Sequence, residues 1–423
     1  MRVKRNKQRG SQKSDQLHEK CGVVGVYSPG DEAARLAYFA LSALQHRGQE
    51  SSGIVSHDGE EFHKHLGVGL VAQVFSEASL ARLPGEMAIG HNRYATSGGK
   101  HDSHAQPVLR SDDLIALAHN GNLPSTLALR TFLKAKGTLK RNSNDSEMMA
   151  DAIRFYLYQG HHVSEAIKLA WPLFTGAFSI VLLAQDGLYA FRDHCGIRPL
   201  CIGKLKNGYV IASETCALDM VGAKFMRDVK PGELLHVDTQ GLHSTQLQQA
   251  DLKFEVFEYI YFARPDSLLL GQSVNEVRRR LGKELAKEQP IKADLVVPIP
   301  DSSIPAALGY SAASKTEFDH GLIKNRYIHR TFIQPSQALR EKAVQMKLNP
   351  LAGTLAGKDI ILIDDSIVRG TTMKEIIKML RRCKVGKVHV RISSPPVRFP
   401  DFYGIDTPDQ TALIASKKTP EQI

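Results

Sequence analysis

Short continuous apolar runs recur along the chain, and several stop at a polar loop. Residues 360–363 form one such run and residues 295–300 another. Apolar, largely β-branched residues without polar alternation suit strands covered on both faces, as in a parallel sheet. The first run ends at Asp364 and Asp365, and a helical pattern follows over 373–382. The second ends at Asp301, Ser302 and Ser303. Strand, polar loop and helix make the repeating unit of an open α/β sheet, whose ligands bind at the carboxyl ends of the strands. Nearer the N-terminus, strand-type runs fall at 21–27, 87–89, 114–118, 177–183, 187–192 and 209–213, with an amphipathic helix over 34–44. Strand signals fade after Gly241, and the polar, Gln-rich stretch 244–252 reads as a connection. A helix over 274–287 then leads onward. The pattern predicts an α/β protein whose first domain ends at 252 and whose second runs from 253 to 423.

The loop after residue 363 carries the densest chemistry. Asp364 and Asp365 are followed by Ser366, Arg369, Gly370, Thr371 and Thr372. A helix N-terminus offering backbone N–H groups, hydroxyls and a glycine is a phosphate cradle. The acidic pair would repel a bare phosphate, but it suits ribose hydroxyls or a Mg²⁺ ion that also touches phosphate. Taken alone, an Asp-Asp pair equally fits a strand–turn–helix with surface acids.

Composition narrows the class. At 423 residues, 42% hydrophobic and 23% charged, the chain has the length of two or three globular domains. No apolar run approaches the ~18 residues of a membrane span. Five scattered cysteines without a C-x-x-C pair predict neither a zinc site nor a disulfide framework, which suits a reducing cytoplasm. The net charge is +11, of which residues 1–20 carry +5. That basic head has neither interleaved aromatics nor an apolar core, so it reads as neither a nucleic-acid arm nor a secretory signal. The basic remainder suits a phosphate-rich small substrate.

The full string from Asp364 to Thr372 resembles the phosphoribosyl-pyrophosphate (PRPP) loop of the phosphoribosyltransferases, in the wording of the amidophosphoribosyltransferase family. The N-terminal half agrees. Cys21 opens an apolar strand, and blocks follow around Arg47, Arg93, Asn120-Gly121 and Asp145. In this order they resemble the glutaminase domain of the N-terminal-nucleophile amidotransferases. That resemblance implies an αββα sandwich followed by a Rossmann-like phosphoribosyltransferase domain with a mainly parallel sheet. It also implies that residues 1–20 are a propeptide whose removal frees Cys21. A free α-amino group, with a reference pKa of about 8, can then serve a thiol of about 8.5 as its base.

The other roles follow from the resemblance. Asn120 and the Gly121 N–H form the oxyanion hole. Arg93 holds the glutamine α-carboxylate, Asp145 its α-ammonium, and Arg47 supports the loop over the site. Ser302, Asp364 and Asp365 hold Mg²⁺. Lys324, Arg326 and Lys347 join the 364–372 loop in binding PRPP. Tyr94, Tyr261, Tyr327 and Ile333 line an ammonia channel. Each block has an ordinary alternative: buried packing for Cys21 and the channel residues, a hairpin turn for Asn120-Gly121, a helix cap for Asp145, a solvated basic loop for 323–349.

The resemblance further implies a cytoplasmic homotetramer that uses glutamine and PRPP and is inhibited by purine nucleotides, with no nucleic-acid or membrane partner. No iron–sulfur cluster is expected, because Glu255 and Asp401 stand where some members have cysteines. His329 replaces a usual glycine and Gln345 a usual arginine. The chain also stops short of the family's usual C-terminal helical extension. Rival readings are a nucleotide-sensing binding protein and an amidotransferase acting on another acceptor. Cys21, Arg93 and Asp145 speak against the first, and the Asp364–Thr372 string against the second.

Overall fold

The computed structural model describes residues 21–94, 105–110, 112, 114–325, 347–405, 407 and 409–423. Residues 1–20, Arg326, Tyr327, His329, Ile333 and Gln345 lie outside them. The described chain divides into two compact units, 21–277 with 401–405, and 278–400 with 407–423. The expected boundary at 252 falls just after the last strand of the two large sheets, Gly241–Gln246, while 253–277 packs with the N-terminal unit.

The N-terminal unit contains two antiparallel sheets. The seven-stranded one runs Lys224–Asp228, Cys201–Lys204, Tyr209–Ala212, Gly22–Tyr27, Met87–Arg93, Ser51–His57, Phe62–Val68. The six-stranded one runs Gly241–Gln246, Glu233–Asp238, Gly187–Arg192, Ala177–Ala184, Ile115–Asn122, Val108–Leu109. Val23, Val55 and Ile89 from the first sheet pack against Ala118, Val181 and Leu188 from the second. On the outer face of the first sheet, Val24 and Val26 meet helix Ala33–Ala43. On the outer face of the second, Ile180 and Leu182 meet helices Asp145–Tyr158 and Val163–Ala170. The layers are therefore αββα. Central strands are buried on both faces, which is why their sequences read as continuous apolar runs. The sheets approach closely at Gly25, where a Cβ would come within 2.9 Å of Leu188 Cδ1.

One element departs from the sequence expectation. Gly241–Gln246 is a strand, paired antiparallel with Glu233–Asp238. It is an edge strand with largely exposed side chains, so no apolar pattern marks it.

The C-terminal unit holds a four-stranded parallel sheet in the order Glu317–Phe318, Leu295–Pro298, Ile360–Asp364, Val388–Ile392. Helix Thr371–Arg382 lays Met373, Ile376, Met379 and Leu380 on one face of it. Two further helices of the unit cross with almost no space between their backbones. A Cβ on Gly282 would fall 1.8 Å from the Ala306 carbonyl oxygen, and one on Gly309 would fall 2.0 Å from that of Arg279. Only a hydrogen fits at either position.

Gly282→Ala and Gly309→Ala should therefore each destabilise the C-terminal unit by about 3 kcal/mol or more, the upper end of overpacking costs. Chemical denaturation followed by far-UV circular dichroism reads this directly. An unchanged midpoint in both variants would contradict the close crossing.

Candidate active centres

Cys21 stands at the head of strand Gly22–Tyr27, whose neighbours are Met87–Arg93 on one side and Tyr209–Ala212 on the other. Gly22 lies opposite Asn92, so Arg93 leaves the adjacent strand beside Cys21. The buried His91 ties this sheet to the other. Its Nε2–H donates to the His119 carbonyl at 3.1 Å, one residue before Asn120. Burial pushes the His91 imidazole down to about 3, so it serves as a neutral clamp.

Asn120 is fully buried, and neither its Nδ2 nor its Oδ1 has a hydrogen-bond partner. An orphaned amide at that depth costs about 1–3 kcal/mol, which a substrate able to bond it would offset. Asn120-Gly121 is not a hairpin turn, since both residues lie inside strand Ile115–Asn122 opposite Ser179 and Phe178. Gly121 has φ +151, and a Cβ there would sit 2.0 Å from the Ala177 carbonyl oxygen, so no other residue fits. Asp145 is the first residue of helix Asp145–Tyr158, and the cap is Asn144, whose side chain accepts from the Glu147 N–H at 2.8 Å. The Asp145 carboxylate accepts from the Leu123 N–H at 3.3 Å and lies 3.8 Å from His119 Nδ1.

Burial pushes the Cys21 thiol up to about 12. Arg93 and Arg47 pull it down, and Asp145 adds to the rise. With a peptide bond on its nitrogen, Cys21 in this chain is a thiol and not a thiolate at neutral pH.

Arg47 lies beneath Cys21, with 1% of its surface exposed. Its Nε donates to the Cys21 carbonyl at 3.3 Å. Its other nitrogens grip Glu258 in a two-point pair at 2.7 and 3.0 Å and bond Glu214 as well. Glu214 also accepts from His46, the Arg264 N–H and the Ser267 hydroxyl. Burial works against its charge, but His46, Arg47 and these donors hold it well below the usual carboxylate range. Neither Glu214 nor Glu258 was singled out from the sequence. Both are acids in apolar surroundings, the only local sign that a buried cation needs them.

Tyr94 is buried, and Tyr261 lies on the π-turn Glu258–Phe262 with its ring against Phe262. Glu255 and Asp401 both belong to this unit. Burial raises the Glu255 carboxyl, with Arg198 opposing. Asp401 lies 3.9 Å from Arg198. Cys195 and Cys216 have thiols raised mainly by burial, in keeping with inert side chains.

The second centre lies within the C-terminal unit. Leu295–Pro298 and Ile360–Asp364 are adjacent parallel strands, so their following loops emerge side by side. Ser302 Oγ–H donates to Asp365 Oδ1 at 2.8 Å, and Ser303 Oγ–H to Asp364 Oδ1 at 3.3 Å. Ser366 bonds the other Asp365 oxygen at 2.9 Å. The predicted trio of Ser302, Asp364 and Asp365 is thus assembled, with Ser303 as an addition that sequence reading missed. Gly370, at φ +84, caps helix Thr371–Arg382 and turns the loop carrying Arg369, Thr371 and Thr372 into it. The Asp364 carboxyl is raised well above its ordinary value, first by burial and then by Asp365 beside it.

The hard oxygen donors here suit Mg²⁺, and a divalent cation would offset the charge of the two carboxylates. Among the described residues no group of three His, Cys, Asp or Glu side chains could hold a metal, and Ser302, Asp364 and Asp365 are the residues that would hold such an ion. Lys324 and Lys347 sit at one end of the two-stranded ribbon Leu322–Lys324 with Leu348–Pro350. Lys324 pairs with Asp301 at 2.7 Å. Arg326, Tyr327 and Ile333 fall outside the described residues. Among the described residues no helix is long and apolar enough to cross a membrane.

Comparison with known proteins bears on both centres. The glutamine amidotransferase domain family matches residues 91–220, and the phosphoribosyl transferase domain family matches residues 267–393. The amidophosphoribosyltransferase of Synechococcus elongatus is 49% identical over 98% of this chain and 85% of its own length. That of Bacillus subtilis is 45% identical over 96% and 86%. A solved structure described as the allosteric regulatory enzyme of purine biosynthesis superposes with a TM-score of 0.88 at 44% identity, covering 94% of this chain and 86% of that one. The Bacillus subtilis glutamine PRPP amidotransferase, solved with ADP and GMP, gives 0.87 at 44% identity, covering 95% and 88%. With an assembled centre in each unit and relatives this close over nearly its whole length, the chain belongs to the amidophosphoribosyltransferase family.

Proposed function

We propose that this chain releases ammonia from glutamine in its N-terminal unit and joins it to PRPP in its C-terminal unit. The products are 5-phosphoribosylamine, glutamate and pyrophosphate, the first committed step of purine nucleotide synthesis. The observation that carries the glutaminase half is the orphaned, buried Asn120 amide in the strand clamped by His91. The phosphoribosyl half rests on the Ser302–Asp365 and Ser303–Asp364 pairs joining two loops at adjacent strand ends.

The steps follow from these groups. After removal of residues 1–20, the Cys21 amine takes the thiol proton, and the sulfur attacks the glutamine carboxamide carbon. Negative charge gathers on the carboxamide oxygen, where the Asn120 Nδ2–H and the Gly121 N–H stabilise it, a contribution of about 3 kcal/mol per donor. The C–N bond breaks, the amine returns the proton to departing ammonia, and water hydrolyses the thioester to glutamate. Arg93 and Asp145 hold the two ends of the amino acid. In the second half, ammonia attacks the ribose C1 carbon and pyrophosphate leaves. Asp364 and Asp365 orient the ribose and hold Mg²⁺, which when bound balances the pyrophosphate charge. The 366–372 loop grips the 5-phosphate, while Lys324, Arg326 and Lys347 meet the leaving group. Tyr94, Tyr261, Tyr327 and Ile333 keep ammonia from water, which would protonate it. Purine nucleotides act as inhibitors, and the working form is a cytoplasmic oligomer. The solved relative bearing ADP and GMP supports the first of these.

Steady-state assays of glutamate release and phosphoribosylamine formation test the reading. Cys21→Ala should abolish glutamine use and spare synthesis from ammonia, and simultaneous loss of both would defeat the two-centre scheme. In protein still carrying residues 1–20, alkylation of Cys21 should keep accelerating up to about pH 12, where its thiol titrates. Mass spectrometry after removal of the segment should show fast alkylation near neutral pH.

Asp364 supplies a third test, through stability. Its folded carboxyl holds a proton at pH values where the unfolded one, near 3.9, has lost it. The folded state therefore binds more protons in that window, and stability falls as pH rises through it. Asp364→Asn removes this penalty. The ligand-free variant should melt higher than the parent above the ordinary carboxylate range, while phosphoribosyl transfer drops by roughly a hundredfold or more. A lower melting temperature would refute the assignment of a strained carboxylate pair.

A further inference from the structure

A second ionic arrangement within the N-terminal unit is not used by the steps above. Glu258 is fully buried and binds two arginines at once, neither appreciably exposed. One is Arg47, beneath the Cys21 carbonyl. The other is Arg198, whose Nη1 donates to Glu258 Oε1 at 3.3 Å. Arg198 continues outward, and its Nη2 donates to the Tyr403 carbonyl at 3.3 Å and faces Asp401 at 3.9 Å. Residues 401–405 form a strap that returns to this unit from far along the chain. Asp401 shapes it by accepting from the Tyr403 and Ile405 N–H groups, at 3.0 and 2.6 Å. The strap has a second anchor, where Asn122 Nδ2–H donates to the Phe402 carbonyl at 2.7 Å. Asn122 is two residues from Asn120 on the same strand. The strap thus touches both arms of the glutaminase centre, the oxyanion strand directly and the nucleophile through Arg198, Glu258 and Arg47.

We propose that Glu258 is a positioning residue for glutamine cleavage, fixing Arg47 under the Cys21 carbonyl, and that the 401–405 strap fixes Glu258 in turn through Arg198. The physical case rests on stiffness. A guanidinium clamped at two points by a carboxylate cannot swivel, so its Nε holds one position for the Cys21 carbonyl. The nucleophile heads a chain once residues 1–20 are gone, and a free chain end frays unless something pins it. Among the described residues, the Arg47 Nε contact is a side-chain pin on the Cys21 backbone, and Glu258 is what aims it. Glu258 and Asp401 are far from Cys21 in sequence yet belong to the same compact unit, so the fold brings the pin and its support together. The inference rests on the proposed function of this centre.

The test compares glutamine-dependent with ammonia-dependent phosphoribosylamine synthesis in the processed, full-length protein. Glu258→Gln keeps the shape but loses the two-point ionic grip. Its glutamine-dependent kcat should fall roughly tenfold to a hundredfold, the scale expected of a misplaced reacting group. The glutamine KM should stay within about twofold, because Arg93 and Asp145 are untouched. Ammonia-dependent synthesis should hold. A Glu258→Gln protein that folds and keeps its glutamine kcat overturns the proposal, as does a parallel fall in both activities. Should that variant fail to fold, Asp401→Ala decides from the outer end. It removes the acceptor that shapes the strap and should lower only glutamine-dependent kcat, and Asp401→Asn, which keeps the acceptor, should restore it. An unchanged ratio of the two activities in Asp401→Ala overturns the proposal. Parent protein that makes no phosphoribosylamine from ammonia and PRPP would instead sink the proposed function itself.

Discussion

The glutaminase unit is built around one buried cation. Arg47 sits between Glu214 and Glu258, out of reach of water, and touches the backbone of Cys21. Burying a guanidinium costs several kcal/mol, and the cost is met only if carboxylates meet it in good geometry. Two do, from positions 167 and 211 residues further along the chain. Removing either leaves uncompensated charge in an apolar interior, a loss of about 3–5 kcal/mol. The helix-end turn carrying Arg47, the loop carrying Glu214 and the π-turn carrying Glu258 are thereby locked to one another. For this reason the segment 253–277 belongs to the first unit although the last strand of the sandwich ends at Gln246.

The second centre inverts that logic. Its two adjacent carboxylates accept from hydroxyl and backbone donors, and burial drives one to keep its proton. Carboxylates set this close repel one another, and a divalent cation or metal-bridged ligand bound there would relieve that cost, a common trade at functional sites. The two centres thus treat charge in opposite ways. In the first it is fully paired, to hold a backbone still. In the second, two carboxylates are set side by side, and one is raised by burial and by the other.

Much of this was legible in the sequence. The doubly covered strands announced themselves as continuous apolar runs, and the Asp364–Thr372 string named its own loop. Cys21, Asn120, Gly121 and Asp145 were singled out because their order resembles a known constellation. The edge strand Gly241–Gln246 escaped because a strand wet on one side and unpaired at its edge has no apolar signature. Asp145 was read as a possible cap, but Asn144 holds that position, one residue earlier.

What the sequence by itself determined was the local chemistry: which residues form buried strands, where the loops carry hydroxyls and carboxylates, and where a glycine is required. These depend on neighbours a few positions apart, so they can be read in one dimension. Only the tertiary structure decided which distant charges meet. Nothing near Arg47 in sequence predicts Glu258, and nothing near Glu258 predicts Arg198 or the 401–405 strap. A buried ion chooses its partner by three-dimensional closeness alone, because the energy of an ion pair depends on separation and dielectric, not on distance along the chain.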